Sequence, residues 1–267
     1  MTTANEAYID TTTKIMGEGE IINTRNSVVR RLTNLMITFD ETPLVTVRKT
    51  AWKNALREME WFLRGGNNIN DLHESVRPWW EPWADSHGDI PANYGVQFRD
   101  FGWHGWDQIS HLVDGLKQHP YSRRNVITTW ETGDMAQPDT PITNCHGTVI
   151  QAFVDTNNRL NITMYQRSGD FLLGVQHNWI QYHALILWLA RETGRLPGKL
   201  TWIGGDVHIY EDHWEVASEI INTWAIPKAE PQLVLREATS GDFKAEEFEL
   251  TIPAPEPTTT TPISMIV

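Results

Sequence analysis

The single cysteine of this 267-residue chain lies in the stretch TPITNCHGTVIQ (residues 140–151) and is the first candidate for a chemical role. Cys145 follows a proline-containing loop and precedes a predicted strand. Its thiol would be a nucleophile if neighbouring cations stabilised the thiolate. The alternative is a small buried side chain, which is the commoner role of a lone cysteine. The adjacent His146 does not decide between the two, because neighbouring side chains on a strand point to opposite faces.

Two arginine-containing stretches are candidates for binding an anion. In YQRSGD, Arg167, Ser168 and Asp170 leave a predicted strand and enter a glycine-containing turn. A planar guanidinium together with a hydroxyl group suits a phosphate. In HPYSRRNVI, Arg123 and Arg124 precede another predicted strand, and such junctions often carry ligand contacts. Each stretch taken alone is equally typical of a solvated surface or an exposed salt bridge.

The stretch WIGGDVHIYEDHW (residues 202–214) carries Asp206, His208 and Tyr210 at alternate positions. Alternate side chains of an extended segment share one face, so His208 and Tyr210 present two hydrogen-bonding groups in one direction. They could bind a sugar hydroxyl group, or they could be ordinary polar residues at a strand end.

Composition limits the classes of partner. A net charge of −12 and an isoelectric point near 5.2 argue against a general nucleic-acid-binding surface, so we expect a small anionic ligand and no nucleic acid. One cysteine and no HExxH arrangement predict that no metal is bound. The N-terminus lacks a secretory signal, and no apolar run is long enough to span a bilayer. These features predict a cytoplasmic protein with no membrane partner.

A fold of helices and strands must position these residues. The segment TAWKNALREMEWFLRGG predicts a helix that ends at Gly65, with Glu58 and Glu60 flanking its apolar stripe as partly buried carboxylates. Further helices are predicted at 5–16, 106–118, 178–193 and 211–223, and strands at 126–131, 147–154, 159–166, 199–204 and 232–236. This mixture predicts one α+β domain over residues 1–267, a sheet covered by helices.

The C-terminal segment 253–267 is expected to be an extended tail. Its proline and threonine content predicts that residues 253–262 are mobile. Its apolar end, SMIV, indicates instead a tail that docks over a ligand. The sequence leaves both alternatives open.

Eight blocks occur in one fixed order between residue 43 and about residue 214. They are PLVTVRKTAWKNALREMEWFLRG, WWEPWAD, NYGVQFRDF, SRRNVI, NCH, YQRSGDFLLG, HNWIQY and GGDVHIYEDHW. In these blocks the chain resembles the thymidylate synthases and their relatives, the deoxynucleotide hydroxymethylases. The resemblance implies a large mixed sheet covered by helices, and a homodimer that packs through the sheet. It also implies transfer of one carbon from the co-substrate 5,10-methylenetetrahydrofolate to C5 of a deoxypyrimidine monophosphate.

The resemblance assigns roles to individual residues. Cys145 is expected to add to C6 of a uracil ring, which makes C5 nucleophilic, and Arg167 to help ionise the thiol. The expected phosphate ligands are Arg25, Arg167 and Ser168, with Arg123 and Arg124 donated by the other subunit, and the 3′-hydroxyl ligands are His208 and Tyr210. Glu58 is expected to organise proton transfers, Tyr94 to assist proton removal at C5, Asp170 to contact the pterin, and Trp80, Trp83, Gly174 and His177 to lie at the folate.

Asn178 matches the asparagine that reads uracil in this family. Its amide can donate to O4 and accept from N3–H, a pattern that cytosine does not match. An aspartate in this position would suit cytosine. The resemblance therefore favours dUMP over dCMP.

Departures from the family pattern bear on the product. The stretch GVQHNWIQY replaces the usual G-x-P-F-N-I-A-S-Y, which introduces Gln176, His177, Trp179 and Gln181, and Glu60 stands where a leucine is usual. Polar side chains on the folate side, above all Glu60, His177 or Gln176, would place a water molecule at the methylene group. We therefore predict a dUMP hydroxymethylase of the kind found in phages that hypermodify their DNA, acting in an infected host.

Three other functions stay open at this point. The first alternative is thymidylate synthase, favoured by Trp80 and by the apolar tail, which resembles the closing tail of the synthases. A dCMP hydroxymethylase is the second. The third is a catalytically silent relative that binds nucleotide or represses an mRNA, although the joint presence of Cys145, Arg167, Asp170 and Asn178 argues against it.

Overall fold

The computed structural model describes residues 3–136, 143–223, 230–236 and 241–266. The helices within these ranges are α1 (Ala4–Glu18), α2 (Trp52–Leu63), α3 (Tyr94–Arg99), α4 (Gln108–Gln118), α5 (Gln176–Thr193) and α6 (Trp214–Ile221). The strands are β1 (Glu20–Asn23), β2 (Val28–Phe39), β3 (Val126–Thr128), β4 (Val149–Val154), β5 (Arg159–Asp170), β6 (Leu196–Tyr210), β7 (Leu233–Leu235) and β8 (Phe248–Leu250). None of the helices in these ranges is long and apolar enough to cross a membrane.

A six-stranded mixed sheet in the order β1-β2-β6-β5-β4-β3 forms the centre of the protein. Neighbouring strands run antiparallel except β5 and β6, which are parallel. A parallel pair needs a crossover connection, and α5 provides it. Strands β7 and β8 form a separate antiparallel pair. The prediction of an α+β fold with a large mixed sheet covered by helices is confirmed.

Helix α5 is the central element of the core. Most of its side chains are buried, so it is apolar around most of its circumference rather than along one stripe. It packs on β5, β6 and α2, and ends at Gly194, whose φ of +68° is the left-handed conformation that favours glycine. Asn178 lies near the N-terminus of this helix and is buried with it.

Strands β5 and β6 are both longer than their sequence patterns predicted. Strand β5 runs to Asp170, and β6 runs through Gly204 and Gly205 to Tyr210. The glycines do not end β6, and glycine is required at 204 because a Cβ there would collide with the side chains of Trp202 and Val207. In the parallel register Asp170 lies opposite His208, so the two candidate stretches meet at one end of the sheet.

Part of the C-terminal tail lies against the segment that precedes α2. The amide of Thr259 donates to the carbonyl oxygen of Val47 at 2.9 Å, and Thr259 is buried. One Nη of Arg48 donates to the carbonyl oxygen of Thr261 at 3.1 Å. These contacts of Thr259 and Thr261 with the segment that precedes α2 favour the docked alternative for this part of the tail.

The sequence predicted most other elements within a few residues. The helices near 5–16, 50–64, 106–118 and 178–193 and the strands near 147–154 and 159–166 are confirmed. The predicted helix 211–223 begins with one 3-10 turn, and the strand predicted at 126–131 ends at Thr128. Strands β1 and β2 and helix α3 were not predicted.

Candidate active site

Cys145 lies where three elements meet. It precedes β4, and its carbonyl oxygen accepts a hydrogen bond from the amide of Ser168 on β5 at 3.2 Å. The hydroxyl oxygen of Tyr94, the first residue of α3, accepts the Cys145 amide at 2.8 Å and lies 3.4 Å from Cys145 Sγ. The residue is partly exposed. Its backbone is therefore fixed from two sides.

The Tyr94 hydroxyl group serves several partners at once. Its oxygen also accepts the amide of His146 at 3.3 Å, and its O–H lies 3.3 Å from the carbonyl oxygen of Thr143. Burial raises the pKa of Tyr94 well above its ordinary value. The phenol therefore stays protonated, so it can hold or relay a proton beside Cys145 but cannot act as an anionic base.

Arg167 is the cation that acts on the thiol. Burial raises the pKa of the Cys145 thiol, whereas the Tyr94 hydrogen bond and the positive charge of Arg167 lower it. The guanidinium lies over the ring of Trp130 at 4.8 Å, and one Nη donates to the carbonyl oxygen of Asn144 at 3.3 Å. Its Nε is buried without a partner among the described residues. This unused donor fits an anion bound beside the thiol.

His146 is a neutral, structural neighbour of the cysteine. Its ring stacks on Tyr94 with a centroid distance of 4.2 Å, and its Nδ1 is 2.9 Å from the hydroxyl oxygen of Tyr182. Burial lowers the pKa of His146 to about 3. The imidazole is uncharged at neutral pH, and its hydrogen bond is directed at Tyr182 and not at the sulfur.

Glu58 is a buried carboxyl group held by two donors. Trp80 Nε1 donates to Oε1 at 2.5 Å, and Gln181 Nε2 donates to Oε2 at 2.6 Å. Burial raises the pKa of Glu58 to about 7, although both hydrogen bonds act to lower it. A carboxyl group that titrates near neutrality can both take up and release a proton, as a general acid–base group must.

A chain of hydrogen bonds between side-chain amides runs from Glu58 on α2 to Gln166 on β5. Gln181 Oε1 accepts from Asn178 Nδ2 at 3.1 Å, and Asn178 Oδ1 accepts from Gln166 Nε2 at 3.0 Å. At the far end Trp202 Nε1 donates to Gln166 Oε1 at 2.9 Å. An indole can only donate, so it sets the direction of every amide in the chain. Asn178 is left with one N–H and one lone pair.

The sugar-binding candidates lie together at the far end of β6. The rings of His208 and Tyr210 are 5.1 Å apart, and His208 Nδ1 lies 2.8 Å from Oδ1 of Asp206. Arg31 on β2 donates to Oδ2 of the same aspartate at 3.0 Å. Arg25 is exposed in the turn between β1 and β2, and its charge lowers the pKa of Tyr210 against the raising effect of burial.

The folate-side candidates lie around the turn that joins β5 to α5. Asp170 caps this turn by accepting the Leu173 amide at 3.3 Å, and burial raises the pKa of its carboxyl group. A Cβ at Gly174 would meet no protein atom within 4 Å, so the chain itself does not fill that space. Trp80 packs in the core with its Nε1 on Glu58, whereas Trp83 is partly exposed.

Comparison with known proteins agrees with this geometry. A sequence model described as thymidylate synthase matches residues 6–265. The chain is 36% identical over 228 residues to the thymidylate synthase of Corynebacterium aurimucosum, covering 84% of this chain and 82% of that one. It is 34% identical over 282 aligned positions to the thymidylate synthase of Cereibacter sphaeroides, covering 90% and 92%.

This chain belongs to the thymidylate synthase family. The members of this family are folate-dependent methyltransferases, which agrees with the enzyme class predicted from the sequence. Within the described residues, no three His, Cys, Asp or Glu side chains come together as metal ligands.

Glu60 and His177, which were expected to place water on the folate side of the site, form hydrogen bonds with backbone groups instead. Glu60 points away from Glu58, and its Oε2 accepts the amide of Ala245 at 2.8 Å. His177 Nδ1 pairs with the carbonyl oxygen of Leu173 at 2.8 Å, and its Nε2 accepts the Ala51 amide at 3.1 Å. Burial lowers the pKa of His177 to about 4. The structure therefore does not support a water-placing role for either side chain.

Other side chains that orient the site were given no role by the sequence. Gln166 and Trp202 on β5 and β6 orient Asn178, and Arg31 and Asp206 orient His208. The sequence signal for such residues is a polar side chain at a core-facing position of a strand, since Gln166 follows Met164 in the buried alternation of β5.

The first prediction concerns the ionisation of Cys145. Since Arg167 lowers the thiol pKa, Arg167→Met should move the pH profile of iodoacetamide alkylation to higher pH. At a fixed pH below the midpoint, a midpoint that lies one pH unit higher slows alkylation about tenfold. The protein has one cysteine, so intact-mass spectrometry follows this site alone.

The matched control is Arg159→Met, at the opposite end of the same strand. It should leave the midpoint unchanged. The plateau rate at high pH separates access to the sulfur from ionisation, because access changes the plateau and not the midpoint. An unchanged midpoint in Arg167→Met would show that Arg167 does not stabilise the thiolate.

Proposed function

We propose that the protein is a thymidylate synthase that converts dUMP to dTMP, with 5,10-methylenetetrahydrofolate as co-substrate and dihydrofolate as second product. The observations that carry this proposal are the charge of Arg167 acting on the Cys145 thiol and an asparagine whose amide direction is set by buried partners. The family membership of the chain supports the same reaction.

Cys145 acts as the nucleophile in this reaction. Its thiolate adds to C6 of the uracil ring, and the electron pair moves through C5 to the O4 carbonyl group, so that C5 becomes nucleophilic. Arg167 favours the thiolate by its charge, and its buried Nε, which has no partner among the described residues, is a donor that a bound phosphate could use. The same cation thereby binds the substrate and prepares the nucleophile.

Asn178 recognises the base. Its spare N–H matches O4 of uracil and its spare lone pair matches N3–H. Cytosine offers a donor and an acceptor in the reverse order, which would leave two like groups facing each other. The direction set by Trp202 and Gln166 therefore supports dUMP and gives no support to dCMP.

Residues near one end of the sheet would bind the phosphate and the sugar. Arg25, Arg167 and Ser168 would bind the phosphate, and His208 and Tyr210 the 3′-hydroxyl group. Asp206 holds Nδ1 of His208 at 2.8 Å, which leaves Nε2 for the substrate. The pairing of β5 with β6 places Ser168 opposite Asp206, so both ligand sets belong to one rigid unit.

Glu58 and Tyr94 carry the proton transfers. Glu58 titrates near neutrality and can take up or release a proton at the site, while the hydrogen bonds of Gln181 connect it to Asn178. Tyr94 keeps its proton, and its oxygen lies 3.4 Å from Cys145 Sγ. It can therefore orient the proton acceptor that removes the C5 proton. Their different environments assign them different roles.

The folate supplies the one-carbon unit and then the hydride that reduces it to a methyl group. Asp170, Trp80, Trp83 and Gly174 are the residues that would contact it, and the chain leaves the space beside Gly174 open. His177 would contribute through its backbone position, because both ring nitrogens already have partners.

The geometry weakens part of the argument for a hydroxymethylated product. The prediction of a dUMP hydroxymethylase rested on Glu60, His177 or Gln176 placing water. Glu60 and His177 have partners elsewhere, whereas Gln176 is buried and its Oε1 has no partner among the described residues. The docked tail, further held by His213 Nε2 at 3.0 Å from the carbonyl oxygen of Ser264, favours exclusion of water. The homologues named thymidylate synthase favour the methyl product as well.

The second prediction identifies the product. Incubation of the protein with dUMP and 5,10-methylenetetrahydrofolate should give one dihydrofolate, measured by absorbance, for each dTMP, measured by mass spectrometry. Cys145→Ser should abolish both. Formation of 5-hydroxymethyl-dUMP without dihydrofolate would overturn the proposed product and support the hydroxymethylase.

We also propose that two copies pack through the outer face of the sheet. Across neighbouring strands this face carries Met36, Ile203, Tyr165 and Val149 in one row, and Met36 is 69% exposed. Such a continuous apolar row is unusual on a free surface.

The two adjacent arginines support the same arrangement. Arg123 and Arg124 are exposed just before the edge strand β3, and neither guanidinium has an ion-pair or hydrogen-bond partner among the described residues. Each subunit could therefore donate them to its partner's phosphate.

The third prediction tests this interface. Met36→Asp would bury a carboxylate from each copy at one end of the row, which costs several kcal/mol. Sedimentation should give a monomer for this variant and a dimer for the wild type. The control Ile252→Asp changes a side chain that is 44% exposed away from the sheet and should remain dimeric. A wild-type monomer, or a dimeric Met36→Asp, would contradict the proposed interface.

A further inference from the structure

Gln181 occupies an unusual place, because it joins the two functional ends of the site. It lies one turn after Asn178 on α5 and is completely buried. Its side chain reaches Glu58 on α2 in one direction and Asn178 in the other. No water is needed to complete this connection.

The hydrogen-bond capacity of the Gln181 amide leaves one orientation only. Its Nε2 has two protons, one directed at Glu58 Oε2 at 2.6 Å and one at the carbonyl oxygen of Ala55 at 2.9 Å. Both partners are acceptors, so the nitrogen must face them and Oε1 must face Asn178. If Asn178 were flipped, two amide oxygens would meet in a buried place, with no proton between them.

We propose that Gln181 is a positioning residue that holds the Asn178 amide in the orientation that reads uracil and couples it to Glu58. This inference rests on the proposed function, in which Asn178 recognises the base. Gln166 holds Asn178 from the other side, so the asparagine is clamped between two glutamines whose directions agree.

The coupling to Glu58 has a consequence of its own. Gln181 donates to the carboxylate and helps to lower its pKa, against the larger effect of burial. The titratable groups that act on Glu58 from neighbouring elements are Cys145 and Tyr182, with Tyr94 on α3 close to Trp80. The hydrogen bonds of Gln181 go to Asn178, Ala55 and Glu58 and not to these three titratable groups. A change at Gln181 therefore acts on Glu58 directly.

The test uses the full-length protein with Gln181→Met and Gln181→Ser. Methionine keeps the length and removes both functions of the amide, and serine removes the bridge while leaving room for water. The control is Gln118→Met, a glutamine exposed at the end of α4. Near-ultraviolet circular dichroism verifies that each variant keeps the packed core.

Two measurements follow. Calorimetry with dUMP and with dCMP, without folate, should show dUMP binding weakened about tenfold in Gln181→Met while dCMP binding changes little. Carbon-13 NMR of labelled glutamate should show the Glu58 titration midpoint at higher pH in Gln181→Met than in the wild type. Gln118→Met should match the wild type in both.

The outcomes separate this inference from the proposed function. If both Gln181 variants keep the wild-type preference for dUMP and the wild-type Glu58 midpoint, the inference is overturned. If the wild type does not prefer dUMP, the proposed substrate is wrong, and the change in the Glu58 midpoint, which needs no ligand, still decides whether Gln181 holds that carboxylate.

Discussion

The parallel pairing of β5 with β6 is the constraint on which the site depends. The pairing runs from Arg159 to Asp170, and it requires a crossover, which α5 provides. One strand carries Arg167 and the other carries His208. The crossover helix carries Asn178, which we propose reads the base. A change in this register by one residue would turn the side chains of the moved strand to the other face of the sheet.

Burial of polar groups beside the pairing of β5 with β6 fixes the orientation of the side-chain amides in the site. The buried amides between Trp202 and Glu58 form their hydrogen bonds with protein groups. Only Asn178 retains both an N–H and a lone pair for a ligand. A buried network in which every member is satisfied is rigid and specific, whereas an unsatisfied member is costly. The same burial raises the pKa of Glu58 towards neutrality. The proposed recognition of the base and the proposed proton transfer thus depend on one set of contacts.

The sequence predicted those residues that belong to contiguous motifs. Cys145, Arg167, Asn178 and His208 each occur in a recognisable block, and the structure brings these blocks to one end of the sheet. The resemblance also predicted the fold, because the order of the blocks is specific.

The sequence did not predict partners that are distant along the chain. His177 was interpreted as a folate-side residue, yet the Ala51 amide that it accepts lies 126 positions earlier. Helical spacing shows that Glu58 and Glu60 lie on different faces of α2, but not that Ala245 packs against one of these faces. Strand β2 was missed because polar residues such as Arg31 and Asn34 interrupt its apolar alternation. The hydrogen bond to Asp206 shows why one of them is there.

The central claim is that Cys145 adds covalently to a uracil nucleotide at this site. The most direct measurement is incubation with 5-fluoro-dUMP and 5,10-methylenetetrahydrofolate, followed by intact-mass spectrometry and peptide mapping. Fluorine at C5 cannot be removed as a proton, so the reaction should stop with the nucleotide and the folate still attached. The account predicts a protein heavier by both molecules, with the added mass on the peptide that contains Cys145 and none on Cys145→Ser. An unmodified Cys145 in a protein that converts dUMP would contradict it.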